Sequence, residues 1–371
     1  MENYLLQADN LIGLHYLIYN LRLRGKVDLV YIDPPYATNT EFRISKNRKA
    51  TISSLKDGEV AFTDRLKGQD YLNFLEERLI LIRELLSDEG SLYIHVDYKI
   101  GHYVKVLADS IFGIENFRSD ITRIKCNPKN FSRIGYGNIK DMILFYTKGN
   151  NPIWNEPYED YTEEDADRLF KRIDEKGRRY TTVPLHAPGE TIDGDTGRKF
   201  RGLYPPPGRH WRADIETLDF WDGEGLIEWS STGNPRKRIY LEDQLGKRVQ
   251  DIWEFKDPQT TLYPTEKNSD LLERIVSVSS RPGSLVLDCF SGSGTTMLAS
   301  EKLGRRWIGI DESTHAISAT FQKFRQYLKE NPNESIAFRY IGIPSNFNID
   351  SDLSGINFLI KNQYIQQELN F

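Results

Sequence analysis

The chain has 371 residues, of which 39% are hydrophobic and 28% charged, with a formal net charge of −5 at pH 7. These values are typical of a globular protein with a sizeable core. Two cysteines, Cys126 and Cys289, predict neither a disulfide framework nor a zinc site, and we expect no metal and a reducing cytoplasm. No uncharged run reaches the roughly 18 residues of a membrane helix, and the start lacks a signal-peptide pattern, so we expect no membrane association.

Residues 1–117 predict alternating strands and helices. Tyr4-Leu5-Leu6 is a short apolar strand, a helical pattern begins at Leu11 and ends before Gly25, and Val27–Ile32 is a buried strand. An amphipathic helix follows over 69–87 and ends at Asp88-Glu89-Gly90, before a strand at 91–96 and a helix at 101–112. This order predicts an α/β protein with a Rossmann-like, doubly wound sheet.

The regular pattern breaks down between residues 118 and 255, which are rich in Gly, Pro, Trp, Tyr and Arg. Long irregular insertions in compact domains are usually functional or disordered, and the density of tryptophan argues against disorder here. Basic residues gather in two parts of this segment: Arg123, Lys125, Lys129, Arg133 and Lys140, and then Arg198, Lys199, Arg201, Arg209 and Arg212. Local basic clusters can contact nucleic acid despite a negative net charge.

The α/β pattern resumes at about residue 264. It predicts a helix at 270–280, a buried strand at 284–290, a glycine loop that opens a second helix, a strand at 306–311 and a helix at 313–327. We therefore divide the chain into 1–117, a 118–255 insertion, 256–345 and a poorly patterned tail at 346–371, whose role is not predicted.

The glycine loop lies in LVLDCFSGSGTTMLA, residues 285–299. Glycines allow a tight turn and the close approach of a ligand, although an ordinary strand-to-helix turn also fits. A dinucleotide motif would need a third glycine where Met297 stands, which makes the signal for NAD weak. The next strand ends at Asp311, where such folds hold a ribose diol, although a helix N-terminal acid is the alternative. Loop and acid together predict a nucleoside-containing cofactor.

The strand at 27–32 ends in Asp33-Pro34-Pro35-Tyr36. Each proline fixes φ and lacks an N–H group, so the loop is stiff. The Asp33 carboxylate and the Pro34 carbonyl form an acceptor pair suited to an amino group, and Tyr36 offers a ring on which a base can stack. Two acceptors pulling on an aromatic amine favour a pyramidal, more nucleophilic nitrogen. The element therefore predicts a site that grips an exocyclic amine.

D-P-P-Y together with F-S-G-S-G resembles the S-adenosylmethionine-dependent amino-methyltransferases of DNA. With D-P-P-Y first and the glycine loop far behind it, the order resembles the β-class DNA adenine-N6 methyltransferases, whose motif order is circularly permuted. QADNL at 7–11 and YPTEKNSDLLERI at 263–275 resemble further family elements, and PPPGRHW and GNPRKRIYL resemble pieces common in larger members. The resemblance covers residues 1–120 and 235–325 well and the middle loosely.

The resemblance implies a role for each matching position. Asp33 and Pro34 would hold the target amino group and Tyr36 would stack on the base, with Pro35 as the fourth residue of the catalytic element. The implied cofactor-binding residues are Asp9, Asn10, Asp33, Pro264, Thr265, Lys267, Asp288, Phe290, Ser291, Gly292, Ser293, Gly294, Thr295, Thr296 and Asp311. The DNA-binding candidates, all in the insertion, are Lys125, Lys129, Arg133, Arg198, Arg201, Arg236 and Lys237. Double-stranded DNA, a cognate restriction endonuclease and a second copy of the chain are the implied partners.

Several alternatives stay open at this point. Asp rather than Ser before P-P-Y favours adenine N6, but cytosine N4 or an RNA base would fit the same chemistry. A non-catalytic nucleic-acid-binding protein on a methyltransferase fold is a second alternative, which the intact D-P-P-Y disfavours. A nicotinamide-dependent oxidoreductase is disfavoured by Met297. We expect His95 to be a satisfied core histidine rather than a catalytic base.

Overall fold

The computed structural model describes residues 2–35, 40–44, 59–64, 68–128, 132, 134–191, 193–258, 266–343 and 359–365. Two compact units divide these residues. The first combines the chain up to Glu156 with the chain from Gln250 onward, and the second is Pro157–Val249. Among the described helices, none is both long and apolar enough to cross a membrane.

The first part of the first unit contains the predicted strands and helices, together with a pair of strands, Thr40–Ile44 and Glu59–Asp64, that was not predicted. Its elements are β1 (Asn3–Gln7), α1 (Asn10–Tyr19), β2 (Val27–Ile32), β3 (Thr40–Ile44), β4 (Glu59–Asp64), α2 (Gly68–Leu85), β5 (Leu86–Val96), α3 (Gly101–Phe112), a 3-10 turn at Ile114–Asn116, β6 (Phe117–Ile124) and β7 (Lys140–Thr147). The helix was predicted to end at Asp88-Glu89-Gly90 and the strand to begin after it, but these three residues already belong to β5. Helix α2 runs directly into β5, because buried Leu86 already pairs with Val27 before the register shifts at Leu29.

The second unit is built from short elements. They are β8 (Tyr158–Glu159), α4 (Glu163–Leu169), β9 (Arg172–Ile173), β10 (Arg179–Pro184), β11 (His186–Pro188), a 3-10 turn at Asp195–Gly197, β12 (Arg209–Trp211), α5 (Ile215–Gly223), β13 (Ile227–Trp229), β14 (Pro235–Tyr240), a 3-10 turn at Leu241–Asp243 and β15 (Lys247–Arg248). Strands β13, β14, β10 and β9 form one sheet in that order, while β11 pairs with β12 and β8 with β15. A small core of Leu185, Phe200, Trp211, Leu218 and Ile227 gives this unit its own hydrophobic centre.

The chain then returns to the first unit. Its remaining elements are β16 (Ile252–Glu254), α6 (Ser269–Val278), β17 (Leu285–Asp288), α7 (Thr295–Lys302), β18 (Arg306–Asp311), α8 (Thr314–Glu330), β19 (Ile336–Gly342) and β20 (Leu359–Ile365). Within the described residues the large sheet has the order β16-β6-β7-β5-β2-β17-β18-β1-β19-β20. The five neighbouring pairs from β5 to β19 are parallel.

Helices cover both faces of this sheet. Successive side chains of a strand point to opposite faces, and in β1 Leu6 packs with α1, α2 and α3 while Leu5 packs with α7 and α8. The same holds in β18, where Ile308 packs on the side of α1, α2 and α3 and Trp307 packs on the side of α7 and α8. The predicted doubly wound sheet, with its permuted motif order, is therefore confirmed.

The order of the sheet reverses between β2 and β17. These two strands are parallel neighbours, with Leu29 opposite Val286 and Val30 opposite Leu287. From β17 the chain passes through α7 to β18 on one side, and from β2 it passes through α2 to β5 on the other. Open α/β sheets bind ligands at the carboxyl ends of strands that flank such a reversal. Asp33 follows one of these ends and the glycine loop follows the other.

The predicted insertion at 118–255 is wider than the second unit. Strands β6 and β7 pair with each other, β7 pairs with β5, and β16 extends the same edge, so these parts belong to the large sheet. The prediction that the regular pattern breaks down from residue 118 was therefore wrong for β6 and β7, which extend the large sheet to Thr147. Buried residues 142–146, MILFY, form the continuous apolar run that a strand covered on both faces requires.

Candidate active site

The Asp33 carboxylate lies at the carboxyl end of β2 in an ion pair with Lys267. Asp33 Oδ2 is 2.6 Å from Lys267 Nζ, and the two side chains are only 16% and 10% exposed. Pro34 is buried beside them. Lys267, which lies just before α6, therefore holds the proposed amine acceptor in place, a contact that the sequence analysis did not foresee. Tyr36, Pro264 and Thr265 lie outside the described residues.

The glycine loop after β17 uses two left-handed backbone positions. Gly292 has φ 50° and Gly294 has φ 80°, values that side-chain-bearing residues rarely adopt. A Cβ atom at Gly294 would lie 2.7 Å from Thr320 Cγ2, so the position also lacks room for a side chain. The Thr320 hydroxyl donates to the Gly292 carbonyl at 3.2 Å. Helix α8, which carries Thr320, therefore supports the conformation of the loop.

Asp311 ties the end of β18 to the glycine loop. Its Oδ2 accepts from the Gly292 amide at 2.8 Å and its Oδ1 accepts from the Ser313 amide at 2.9 Å. Burial raises the pKa of Asp311 to about 6, although the two amides act in the opposite direction. A carboxylate has about four acceptor positions, so each oxygen retains capacity for a hydroxyl group. This arrangement suits the ribose diol that the sequence predicted here.

The buried Asp288 carboxylate stabilises the glycine loop through two hydrogen bonds. Its carboxylate accepts from the Thr296 hydroxyl at 2.6 Å and from the Phe290 amide at 3.0 Å. Burial raises the pKa of Asp288 to about 7. The Phe290 ring meets the Phe74 ring edge to face, with centroids 6.2 Å apart. Asp288 is only 3% exposed, so these contacts make it a support for the loop conformation.

Lys323 of α8 is a site residue that the sequence analysis missed. Its ammonium contacts the hydroxyls of Ser293 and Thr295 at 3.0 and 2.5 Å and the carboxylate of Glu266 at 2.6 Å. Burial lowers the pKa of Lys323, and the charge of Glu266 opposes this shift. The available signal was a lysine three residues after Thr320, on the inward face of an amphipathic helix.

Asp9 and Asn10 are positioned by a second missed residue, Arg78. Asp9 caps α1 by accepting from the Leu11 amide at 2.9 Å. Arg78 Nε donates to Asn10 Oδ1 at 2.5 Å, and its Nη2 lies 3.4 Å from Asp9 Oδ2. The guanidinium also lies over the Phe74 ring, 3.6 Å from its centroid. An arginine among the apolar inward positions of α2 was the signal for this role.

A buried polar network lies behind Asp33. Tyr31 Oη is 2.8 Å from His95 Nδ1, and His95 Nε2 is 3.4 Å from Asp141 Oδ2. Lys125 Nζ lies 2.5 Å from Asp141 Oδ1. Burial acts to raise the pKa of Asp141, but the hydrogen bond from His95 and the charge of Lys125 hold that pKa well below its usual range. His95 is confirmed as a satisfied core histidine.

Most of the predicted DNA-binding residues make contacts within the protein. Lys125 belongs to the network just described, while Arg198 and Arg201 pair with Asp195 at 2.9 Å and Asp222 at 2.8 Å. The Lys237 ammonium lies 3.3 Å from the centroid of the Trp221 ring, and Arg236 Nε donates to the Thr182 hydroxyl at 2.8 Å. Lys129 and Arg133 lie outside the described residues.

The residues around the glycine loop fit a nucleoside-containing cofactor. Ser291 Oγ is buried in the loop and has no hydrogen-bond partner within the described residues. Such an atom is costly unless a ligand or water satisfies it. Glycine backbone for close approach, the Asp311 acceptors and the partly buried Phe290 ring complete a donor and acceptor set for an adenosine group. Within the same residues, no group of three or more His, Cys, Asp or Glu could hold a metal ion.

Comparison with known proteins gives matches over most of the chain. The family model described as DNA methylase matches residues 27–322. The chain is 41% identical to the type II methyltransferase M.EcaI of Enterobacter cloacae over 330 residues, covering 87% of this chain and 70% of the relative. It is 25% identical to the type III restriction-modification enzyme EcoPI Mod subunit of Escherichia phage P1 over 358 residues, covering 80% of this chain but only 54% of the relative. The M1.HpyAVI–SAM crystal structure matches at 17% identity and a TM-score of 0.47, over 86% of this chain and 98% of that one.

Proposed function

The chain belongs to the DNA methylase family, and from this premise we propose that it methylates the N6 amino group of adenine in duplex DNA. The supporting observation is the placement of Asp33 and the glycine loop at the carboxyl ends of neighbouring parallel strands. This placement supports the proposal, because it would bring an amine-acceptor pair beside a nucleoside-binding loop. A methyl donor and a target amine can therefore meet at one edge of the sheet.

The protein is a DNA methyltransferase that uses S-adenosylmethionine, which supplies an activated methyl group attached to a sulfonium. In our assignment Asp311 would accept hydrogen bonds from the ribose hydroxyls, and the loop at 290–294 would hold the rest of the nucleoside. Ser293 and Thr295 hold Lys323, which fixes the loop to α8. Asp9 and Asn10, fixed by Arg78, form the wall at the carboxyl end of β1.

The target amine is activated by position rather than by a strong base. The adenine leaves the helical stack so that its amino hydrogens can reach the Asp33 carboxylate and the Pro34 carbonyl. These acceptors would localise the nitrogen lone pair and orient it toward the methyl group that S-adenosylmethionine would supply. The nitrogen then releases one proton, for which the hydrogen-bonded Asp33 carboxylate is the acceptor. Lys267 keeps that carboxylate aligned through the 2.6 Å ion pair.

Adenine is favoured over cytosine by Asp rather than Ser before P-P-Y, and cytosine N4 is the second candidate. We further propose that the protein belongs to a restriction-modification system with a cognate endonuclease, because several relatives are subunits of restriction-modification enzymes. A homodimer and a cytoplasmic location complete the proposal. The second unit, Pro157–Val249, would read the target sequence through base-edge and phosphate contacts.

Substitution of Asp33 by Ala tests the proposed reaction directly. We expect the variant to lose methylation because the acceptor is gone, while cofactor binding is retained because the glycine loop is untouched. Long-read modification sequencing of DNA from a methylation-free host would show N6-methyladenine in one short motif with the wild type only. The matched control is Asp97→Ala at the end of β5, where the carboxylate caps its own turn through the Lys99 amide at 2.9 Å.

Each outcome of this experiment has a definite meaning. N4-methylcytosine in the wild-type culture would replace the base assignment while keeping the fold and the cofactor. Full methylation by Asp33→Ala would refute the role of Asp33. Equal loss in the Asp97→Ala control would show that the effect is not specific to the amine acceptor.

A further inference from the structure

Three arginines of the second unit converge on one histidine. Arg209 Nη1 lies 3.1 Å from His186 Nδ1. Arg212 Nε donates to the Pro184 carbonyl at 3.0 Å, and Arg236 is the residue paired opposite Pro184 in the β10–β14 ladder. The short stretch from Pro184 to His186 therefore gathers three guanidinium groups, which we call the arginine cluster.

No member of the arginine cluster forms an ion pair within the described residues. Other arginines of the same unit do have carboxylate partners, namely Arg168, Arg172, Arg178, Arg179, Arg198, Arg201 and Arg238. The pKa of His186 is lowered by burial and then by the charges of Arg209, Arg212 and Arg236. Positive charge is thus concentrated around this imidazole without local compensation.

The guanidinium groups are held by neutral acceptors. Arg236 donates from Nε to the Thr182 hydroxyl at 2.8 Å and from Nη2 to the Thr182 carbonyl at 2.7 Å. Arg212 and Arg209 are held in the same way, by a carbonyl and an imidazole. A guanidinium has five N–H donors, so each arginine keeps donors for another group. Neutral acceptors fix the orientation without cancelling the charge, which pre-organises the cluster for an anion.

We propose that the arginine cluster binds the phosphate backbone of duplex DNA. Planar guanidinium groups match phosphate oxygens in paired hydrogen bonds, and closely spaced phosphates match closely spaced arginines. Such contacts position a duplex without reading its sequence. This assignment rests on the proposed function and adds the surface through which the second unit holds its substrate. It also replaces Arg198 and Arg201 as phosphate ligands, because those side chains are neutralised by aspartates.

The test is the salt dependence of duplex binding by the full-length protein. Binding of a fluorescently labelled DNA duplex would be measured from about 50 to about 200 mM salt for wild type and for Arg209→Gln, Arg212→Gln and Arg236→Gln. Each lost phosphate contact should reduce the slope of log K against log salt by about 0.9 and weaken binding several-fold. Arg→Lys variants at the same positions keep the charge and should retain most of the slope.

The matched control is Arg168→Gln, because this exposed arginine already pairs with Asp165 at 2.8 Å. We expect its slope to equal that of the wild type. Wild-type slopes in all three cluster variants, with native thermal melting, would overturn the proposal while leaving the methylation function intact. A loss of salt slope that the Arg→Lys variants do not reverse would show that these side chains have a structural role, and would also overturn the proposal. Failure of both wild type and Asp33→Ala to bind any duplex would instead refute the proposed function together with this inference.

Discussion

Replacement of Gly294 by Ala tests whether the glycine loop is a close-fitting cofactor cradle. At φ 80° an alanine costs about 1–2 kcal/mol in backbone strain. Its Cβ would lie 2.7 Å from Thr320 Cγ2 and 2.9 Å from Thr320 Oγ1, so Thr320 must move. That movement breaks the hydrogen bond to the Gly292 carbonyl, worth about 1 kcal/mol, and displaces the loop.

The matched control is Gly304→Ala. Gly304 has φ 70° and no heavy atom within 4 Å of an added Cβ, so it carries the backbone strain alone. We expect both variants to lower the melting temperature, with the larger decrease for Gly294→Ala. Calorimetric titration with S-adenosylmethionine should show at least about a tenfold weaker Kd for Gly294→Ala, because 1.4 kcal/mol corresponds to a factor of ten. Wild-type affinity in Gly294→Ala would refute the cradle, and weakening in Gly304→Ala would show that general instability accounts for the effect.

Two further predictions concern charged side chains. The pKa of Asp311 is about 6, so its carboxyl is protonated below that pH and can no longer accept fully from ribose hydroxyls. Cofactor affinity should therefore fall by about tenfold per pH unit below 6. The Asp311→Asn variant should bind the cofactor weakly, with an affinity that does not change with pH. A wild-type profile in that variant would contradict the assignment. Arg123→Met should lower the free energy of unfolding by about 3–5 kcal/mol, because buried Arg123 pairs with Asp257 at 2.5 Å and Asp141 at 3.5 Å. In urea denaturation the exposed control Arg24→Met should lose under about 1 kcal/mol, and equal losses would contradict the argument.

The parts of the fold that could be predicted are those that depend on residues close together in the sequence. The apolar run at 27–32, the glycines at 292 and 294 and the acid at the end of β18 each depend on neighbours within a few residues. Backbone stiffness after Asp33 also follows from two adjacent prolines. These local rules gave the order of elements and the two loops that face each other.

The contacts that could not be predicted join residues far apart in the chain. Lys323 and Arg78 lie on inward faces of helices, where the apolar pattern predicts only packing. Lys125 was expected at a DNA surface, but its partner Asp141 lies on the neighbouring antiparallel strand, and that pairing was not foreseen. Similarly, Arg198 and Arg209 look alike in the sequence, and only the presence or absence of a nearby carboxylate separates them.

Glu266 and Lys267 are adjacent in the chain but act on opposite sides of the site. Glu266 binds Lys323, which contacts Ser293 and Thr295 at the glycine loop, and Lys267 binds Asp33, the proposed amine acceptor. Since one peptide unit connects them, a shift in the loop moves the amine acceptor, and a shift in the acceptor moves the loop. Such coupling is reciprocal in free energy. The methyl donor and the target base can therefore influence each other's affinity through a single dipeptide.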